Sequence, residues 1–221
     1  MAIPAGTVAI EVVSDVVCPW CYVGKRRLAK ALALLGDEVK IDITYLPFQL
    51  NPDMPDAGMP RSEYRKAKFG SIERGRELDA RVAAEGKGEG IEFAFERIET
   101  APNTFRAHQL IDLAQESGKG QEAVDALFRA YFEEARDVGD AEVLKSIAKS
   151  CGVSPEALEA RWADEGEARR VADLEKAMKT MGVSGVPTFI FNRRYAVSGA
   201  HPPESLAAAL REAAGAAAAS P

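Results

Sequence analysis

Cysteine is scarce in this chain: Cys18, Cys21 and Cys151 are the only three in 221 residues. Two lie close together and the count is odd, which excludes the disulfide framework of small secreted domains. Histidine is scarcer, with His108 and His201 alone. A structural zinc site usually draws two cysteine or histidine pairs at ligand spacing, and no second pair exists here, so no resident metal is expected. Apolar runs long enough to span a bilayer, about 18 residues, do not occur. "MAIPAGTVAIEVVSD" lacks a basic segment followed by an apolar one, so no secretory leader is expected. Positive charge is not in excess either. The formal net charge of −6 argues against a grip on nucleic acid or anionic lipid.

The chain does have core-forming capacity. Hydrophobic residues make up 47% and charged residues 28%, the balance of a folded chain, and the length suffices for one large domain or two small ones. "TVAIEVVSD" (7–15) alternates Val8, Ile10 and Val12 and predicts a strand. From Pro19 the period becomes helical: Leu28, Leu32 and Leu35 share a stripe, and Gly36 supplies a stop. "KIDITYLPF" (40–48) alternates again through Ile41, Ile43 and Tyr45. Strand, helix and strand in this order predict two parallel strands joined by a right-handed crossover.

Residues 51–181 read differently. After the loop "NPDMPDAGMP", helix signals dominate, with one short strand expected at "IEFAF" (91–95). Asn103 or Thr104, Asp140, and Ser154 with Pro155 are placed to start helices, and a last helical run ends at Gly182. "PTFIF" (187–191) and "YAVSG" (195–199) then predict a hairpin turning at Asn192-Arg193-Arg194, followed by a helix in "PPESLAAALREAA". The expected division is a β–α–β part in 1–50, a mostly helical insertion in 51–181, a β–β–α part in 182–215 and a flexible alanine-rich tail in 216–221. A β–α–β unit and a β–β–α unit sharing one sheet have the thioredoxin order, so the expected class is α/β, a thioredoxin fold with a large helical insertion.

Cys18-Pro19-Trp20-Cys21 carries the chemistry. Two cysteines at i and i+3 on a helix start lie about one turn apart, within reach of a disulfide. Pro19 suits the first helical position, where a missing N–H costs nothing. Cys18 would then sit at the helix N-terminus, where free backbone N–H groups and the positive dipole end favour thiolate, the nucleophilic form. Cys21, one turn deeper, would be the shielded resolving thiol. Taken alone, the motif also admits a metal site or two inert core cysteines. Likewise, "GVSGVPTFIF" (182–191) admits an ordinary trans proline opening a strand.

Three segments in order, "SDVVCPWCYVGKRRL", "PNTFRAHQLIDLA" and "GVSGVPTFIFNRRYAVSGAHPPESL", resemble the DsbA-like thioredoxin superfamily, specifically its FrnE-like members, over about residues 7 to 212. The resemblance implies a thioredoxin domain interrupted by helices and a CxxC active site, Cys18 and Cys21, facing a cis-proline, Pro187. It also implies that the backbone at Val186 pairs with an extended substrate segment. The activity implied is thiol–disulfide exchange with a protein or small molecule bearing a thiol or disulfide, with no tightly bound cofactor. DsbA enzymes carry histidine where this chain has Trp20. A neutral indole offers the thiolate neither charge nor an imidazole's hydrogen bonds, so a less acidic Cys18 and a weaker oxidant are expected. Kappa-class glutathione transferases and hydroxychromene-carboxylate isomerases share the superfamily but typically have serine first in the motif. Glutathione as co-substrate therefore stays open, as does a redox-inert binding or chaperone module.

Trp20 and Tyr22 are expected as an apolar rim around the sulfur, and Asn103 and His108 as candidate pocket residues above the motif. Lys25, Arg26 and Arg27 read as a solvated helix face, "GKGEG" (86–90) as a glycine-spaced decoy, and Cys151 as structural. A cytoplasmic setting is expected, as either a monomer or a homodimer.

Overall fold

The central strand, β1 (Thr7–Ser14), carries apolar side chains on both faces and organises the sheet around it. The computed structural model describes residues 7–36 and 39–218. After β1 come α1 (Pro19–Leu35) and β2 (Lys40–Pro47), and β2 pairs in parallel with β1 from Thr7↔Lys40 to Ser14↔Pro47. A helical stretch follows: α2 (Arg61–Phe69), α3 (Ile72–Gly88), α4 (Phe105–Glu116), α5 (Gly120–Phe132), α6 (Ala141–Ser150), α7 (Pro155–Ala163) and α8 (Glu165–Thr180). A two-stranded ladder, β3 (Met59–Pro60) against β4 (Thr100–Ala101), joins the entry of this stretch to α4. The chain then returns to the main sheet through β5 (Thr188–Phe191) and β6 (Tyr195–Ser198) and ends in α9 (Pro203–Ala218).

The sheet order is β2-β1-β5-β6, with β5 antiparallel to β1 and to β6. Register explains its two faces. Val8, Ile10 and Val12 lie level with Ile41, Ile43 and Tyr45 on one side and with Phe191 and Phe189 on the other, and all join the main core with α1. On the opposite face Val13, Leu46 and Ile190 meet Met178 of α8 in a smaller cluster. Helix α1 buries Leu28, Ala31 and Leu35, and each leucine contributes about 1.5–3 kcal/mol relative to exposure. It packs beside α9, so both helices that follow the CxxC and hairpin units cover the sheet together.

The helix starts follow their capping chemistry. Asp140 Oδ1 accepts from the Val143 amide at 2.9 Å, and Ser154 Oγ from the Ala157 amide at 3.2 Å with Pro155 in the first turn. The hairpin turns at Asn192 and Arg193, both at positive φ, and Asn192 also ties it down: its Oδ1 accepts from the Ala9 amide, and its Nδ2 donates to the Ala213 carbonyl.

Three expectations need correction. Residues 91–95 form no strand; the segment runs as coil into a 3₁₀ turn at Phe95–Arg97, because Phe93 and Phe95 stack on one another and turn inward to Phe132 instead of alternating. Lys25 and Arg27 are not a solvated face. Lys25 pairs with Asp125 of α5 at 2.7 Å, and Arg27 reaches Glu85, Glu89 and the Ala200 carbonyl, so the basic run fastens α1 to its neighbours. Helix α9 extends through Ala218, so the expected tail is helical over 216–218; residues 219–221 and the N-terminal segment 1–6 lie outside the described residues.

Candidate active site

β1 ends in a tight turn that delivers Cys18 to the first position of α1. The Cys18 amide donates to the Asp15 carbonyl at 3.0 Å, Cys18 is the N-cap with extended backbone (φ −91°, ψ 110°), and Pro19 follows at the first helical position. No side chain caps this helix, so the Cys18 sulfur holds the place a capping oxygen usually occupies, at the positive end of the dipole. Its thiol donates to the Val186 carbonyl at 3.6 Å. The Val186–Pro187 peptide is cis, and Pro187 is buried beneath α1. Gly24 makes that approach possible: a Cβ there would stand 2.9 Å from Pro187 Cγ and 3.2 Å from Phe189 Cζ.

Cys21 lies one turn deeper and is buried, its amide donating to the Cys18 carbonyl at 3.0 Å. Burial pushes its thiol well above the ordinary range, with the Cys18 sulfur adding to the rise; the Ser14 side chain and the Asp15 backbone nearby oppose it. All three cysteines are free thiols. Cys151 is buried at the end of α6, beside Ser150 Oγ at 3.7 Å.

Beside Pro19 opens a narrow cleft of about 50 Å³ between α1 and the helical stretch, lined by Val17, Asn51, Tyr64, Phe95 and Tyr131. Arg61 and Arg65 also line it, but both guanidinium groups close on Asp79. Trp20 is exposed at 38% on the outer side of the motif.

The other sequence-predicted residues lie elsewhere. Tyr22 is no rim residue: it is fully buried among Phe93, Phe128 and Phe132, and its hydroxyl donates to Glu133 and accepts from Arg26. One residue past Cys21 on a helix is a rotation of about 100°, which turns Tyr22 towards α5. Burial, then the Glu133 bond, pushes its phenol up to about 12. Asn103 does not reach the dithiol; its Oδ1 accepts from the Phe105 amide and its Nδ2 donates to the Met54 carbonyl, binding the 51–58 loop to the start of α4. His108 is buried where α4 packs against β2, with Nε2 3.4 Å from Asp15 Oδ1.

Ser14 and Asp15 are the site residues that the sequence reading passed over as a strand end. A signal was present: in "EVVSDVVCPW" two polar residues interrupt a run of valines, a pattern that buries a carboxylate. Asp112, Glu116 and Glu167 gather within 4.8 Å, but they close on the guanidinium groups of Arg161 and Arg170 and hold the α4, α7 and α8 contacts together.

A mixed sheet with an N-capping CxxC cysteine opposite a proline-led strand, and helices inserted between its halves, is the architecture of a DsbA-like thioredoxin protein. The chain belongs to that family: the DSBA-like thioredoxin domain matches residues 9–211. Among relatives, it is 29% identical to the Uncharacterized protein YwbO of Bacillus subtilis (strain 168) over 188 residues, 83% of this chain and 86% of that one. The structure of a "probable DsbA oxidoreductase", SCO1869 of Streptomyces coelicolor, superposes with a TM-score of 0.86 at 34% identity, covering 94% of this chain and 90% of the other. The cytosolic disulfide reductase DsbM of Pseudomonas aeruginosa, in its structure with GSH, shares the fold at 20% identity and a TM-score of 0.66, over 92% and 98% of the two chains.

Proposed function

We propose that this protein is a thiol–disulfide oxidoreductase in which Cys18 attacks and Cys21 resolves. The observation that carries the reading is the division between the two sulfurs: Cys18 caps α1 with its thiol on the Val186 carbonyl, while Cys21 is buried a turn below with its proton held. The Cys18 thiolate attacks a substrate disulfide and one substrate thiolate leaves. Cys21 then attacks the Cys18 sulfur of the mixed disulfide, releasing the second substrate thiolate and leaving Cys18–Cys21 oxidised. Run in reverse, the same steps oxidise a substrate dithiol. An extended substrate segment would pair with the backbone at Val186, and Trp20 would give it apolar contact area. FrnE-like chemistry and a cytoplasmic setting belong to the same proposal; among the described residues no helix is long and apolar enough to cross a membrane, and DsbM offers a cytosolic disulfide reductase on the same fold.

The direction of electron flow is read from the Cys18–Cys21 reduction potential against a glutathione buffer. With Trp20 in the motif the expected protein is a weaker oxidant than DsbA, below about −180 mV, and a reductant if the value lies below about −250 mV. A value near −120 mV would refute this part. The redox reading itself fails if Cys18 reacts with iodoacetamide no faster than Cys151; a binding or chaperone role on an inert scaffold would then replace it. Glutathione as co-substrate would enter the cleft beside Pro19, where Arg61 and Arg65 are already paired with Asp79. Full turnover of glutathione with an electrophile by Cys21→Ser, together with loss of disulfide exchange, would favour a transferase or isomerase instead.

A further inference from the structure

The first turn of α4 opens on a pocket of about 150 Å³ that shares no lining residue with the cleft beside Pro19. Phe105 and Trp162 wall it, Asn103, Arg106 and Asp56 edge it, and Gln109 forms its buried side. A single water needs about 10–15 Å³, so the space admits a small organic molecule.

Three features of the wall call for an anion. Gln109 is 2% exposed, and its Nε2 makes no hydrogen bond. A buried donor without an acceptor is costly, and native proteins leave few of them. Helical side chains lean towards the N-terminus, which directs Gln109 back past Phe105 and Arg106 to the open end of α4. That end is the second feature. Thr104 gives α4 no side-chain cap, and its first turn holds no acidic residue. Asn103 Oδ1 takes the Phe105 amide, but among the described residues nothing accepts from the Arg106 or Ala107 amide. The positive end of the helix dipole stands at the same place. Third, Arg106 holds its guanidinium 5.4 Å from the centre of the Trp162 ring and pairs with no carboxylate among the described residues. One acidic group shares the pocket: Asp56, exposed and without an ion-pair partner there. It would oppose a simple anion, but it suits a carboxylate that carries its own ammonium group.

We propose that this pocket binds a small zwitterionic carboxylate of the α-amino acid class. The carboxylate accepts from Gln109 Nε2 and from the open amides of Arg106 and Ala107, with the Arg106 guanidinium beside it. The ammonium group faces Asp56, and an apolar side chain lies against Phe105 and Trp162. The Trp162 indole N–H donates to the Arg106 carbonyl at 3.4 Å, so the ring that the ligand touches is tied to the turn that holds its charge. The site is independent of the Cys18–Cys21 chemistry, and neither stands or falls with the other.

Trp20 and Trp162 are the only tryptophans, so the full-length Trp20→Phe protein reports on the pocket through Trp162 fluorescence. Titration with L-leucine at pH 7 should change it saturably, with a midpoint in about the millimolar range expected of so small a ligand. Leucinamide, which keeps the ammonium group but lacks the carboxylate, should bind about tenfold more weakly or worse. Isocaproate, which lacks the ammonium group, should bind several-fold more weakly. Gln109→Leu fills the position without a donor, and Arg106→Met keeps the apolar stem over the ring; each should weaken leucine by about tenfold, the loss of one charge-assisted hydrogen bond. Asp56→Asn should weaken leucine and leave isocaproate bound as well as before or better. Absence of both a saturable fluorescence change and a binding heat with L-leucine would overturn the site, as would undiminished binding in either Gln109→Leu or Arg106→Met. Inorganic phosphate or acetate binding as tightly as leucine would overturn the amino-acid assignment, because an anion alone would then suffice. If Gln109→Leu fails to fold by circular dichroism, the exposed Arg106→Met and Asp56→Asn decide the matter by the same criteria.

Discussion

Replacing Gly24 by alanine tests the closest approach in the site. In an open helix interior this change stabilises by about 1 kcal/mol, because alanine loses less backbone freedom on folding. At position 24 the new methyl would stand 2.9 Å from Pro187 Cγ and 3.2 Å from Phe189 Cζ, whereas ordinary contact begins at 3.4 Å. The first neighbour is a ring held in a buried strand entry, so it cannot rotate away, and overpacking of this kind costs about 1–3 kcal/mol. The net expectation is a loss of about 1 kcal/mol, read as a drop of about 0.4 M in the urea midpoint at an m-value of 2–3 kcal/mol/M. Gly88→Ala, at the end of α3 with nothing within 4 Å of the added Cβ, serves as the control and should be neutral or slightly stabilising. Because the displaced ring follows Val186, whose carbonyl faces the Cys18 thiol at 3.6 Å, Gly24→Ala should also slow Cys18 attack on a disulfide several-fold. A Gly24→Ala protein that is more stable by about 1 kcal/mol and exchanges at the parent rate would refute the packing argument.

Alkaline titration should weaken the fold. The Cys21 thiol and the phenols of Tyr22, Tyr45 and Tyr131 are all raised in the folded state. Above about pH 9–10 the unfolded chain therefore releases protons that the folded chain retains, and stability falls as pH rises; Tyr22→Phe should flatten the fall between pH 10 and 12 in urea titrations, and equal slopes would argue against it. Arg27→Met removes hydrogen bonds to Glu85, Glu89 and the Ala200 carbonyl. Charged hydrogen bonds of this kind are worth about 1.5–3 kcal/mol, so thermal unfolding should come some 4–8 °C earlier, and an unchanged Tm would mean that α1 is held by its apolar stripe alone. Cys151→Ser should leave disulfide exchange at the parent rate, and loss of exchange would assign the third cysteine a role the geometry gives it no means to play.

The fold was legible because its signals are local. Alternation in 7–15 and 40–48, the helical stripe of Leu28 and Leu35, and the capping chemistry at Asp140 and Ser154 need no knowledge of what packs against them. Cys18 and Pro19 were legible for the same reason, since the N-cap and first helical positions have their own chemistry. What stayed hidden depends on contacts distant in sequence. Tyr22 turns inward because Phe93, Phe128 and Phe132 gather there, and those residues share no periodicity with α1. The basic run 25–27 looks like a solvated face until Glu85, Glu89 and Asp125 close on it. His108 and Asp15 meet only because α4 lies against β2, so neither a lone histidine nor a strand-ending aspartate announces the pair.

The division of labour between Cys18 and Cys21 is tested most directly by trapping. Cys21→Ser protein incubated with a disulfide substrate and digested for mass spectrometry should carry the substrate thiol on Cys18, as a mixed disulfide that persists because no resolving thiol remains. Cys18→Ser should trap far less. An adduct on Cys151, or equal trapping by the two variants, would contradict the assignment of Cys18 as the attacking sulfur.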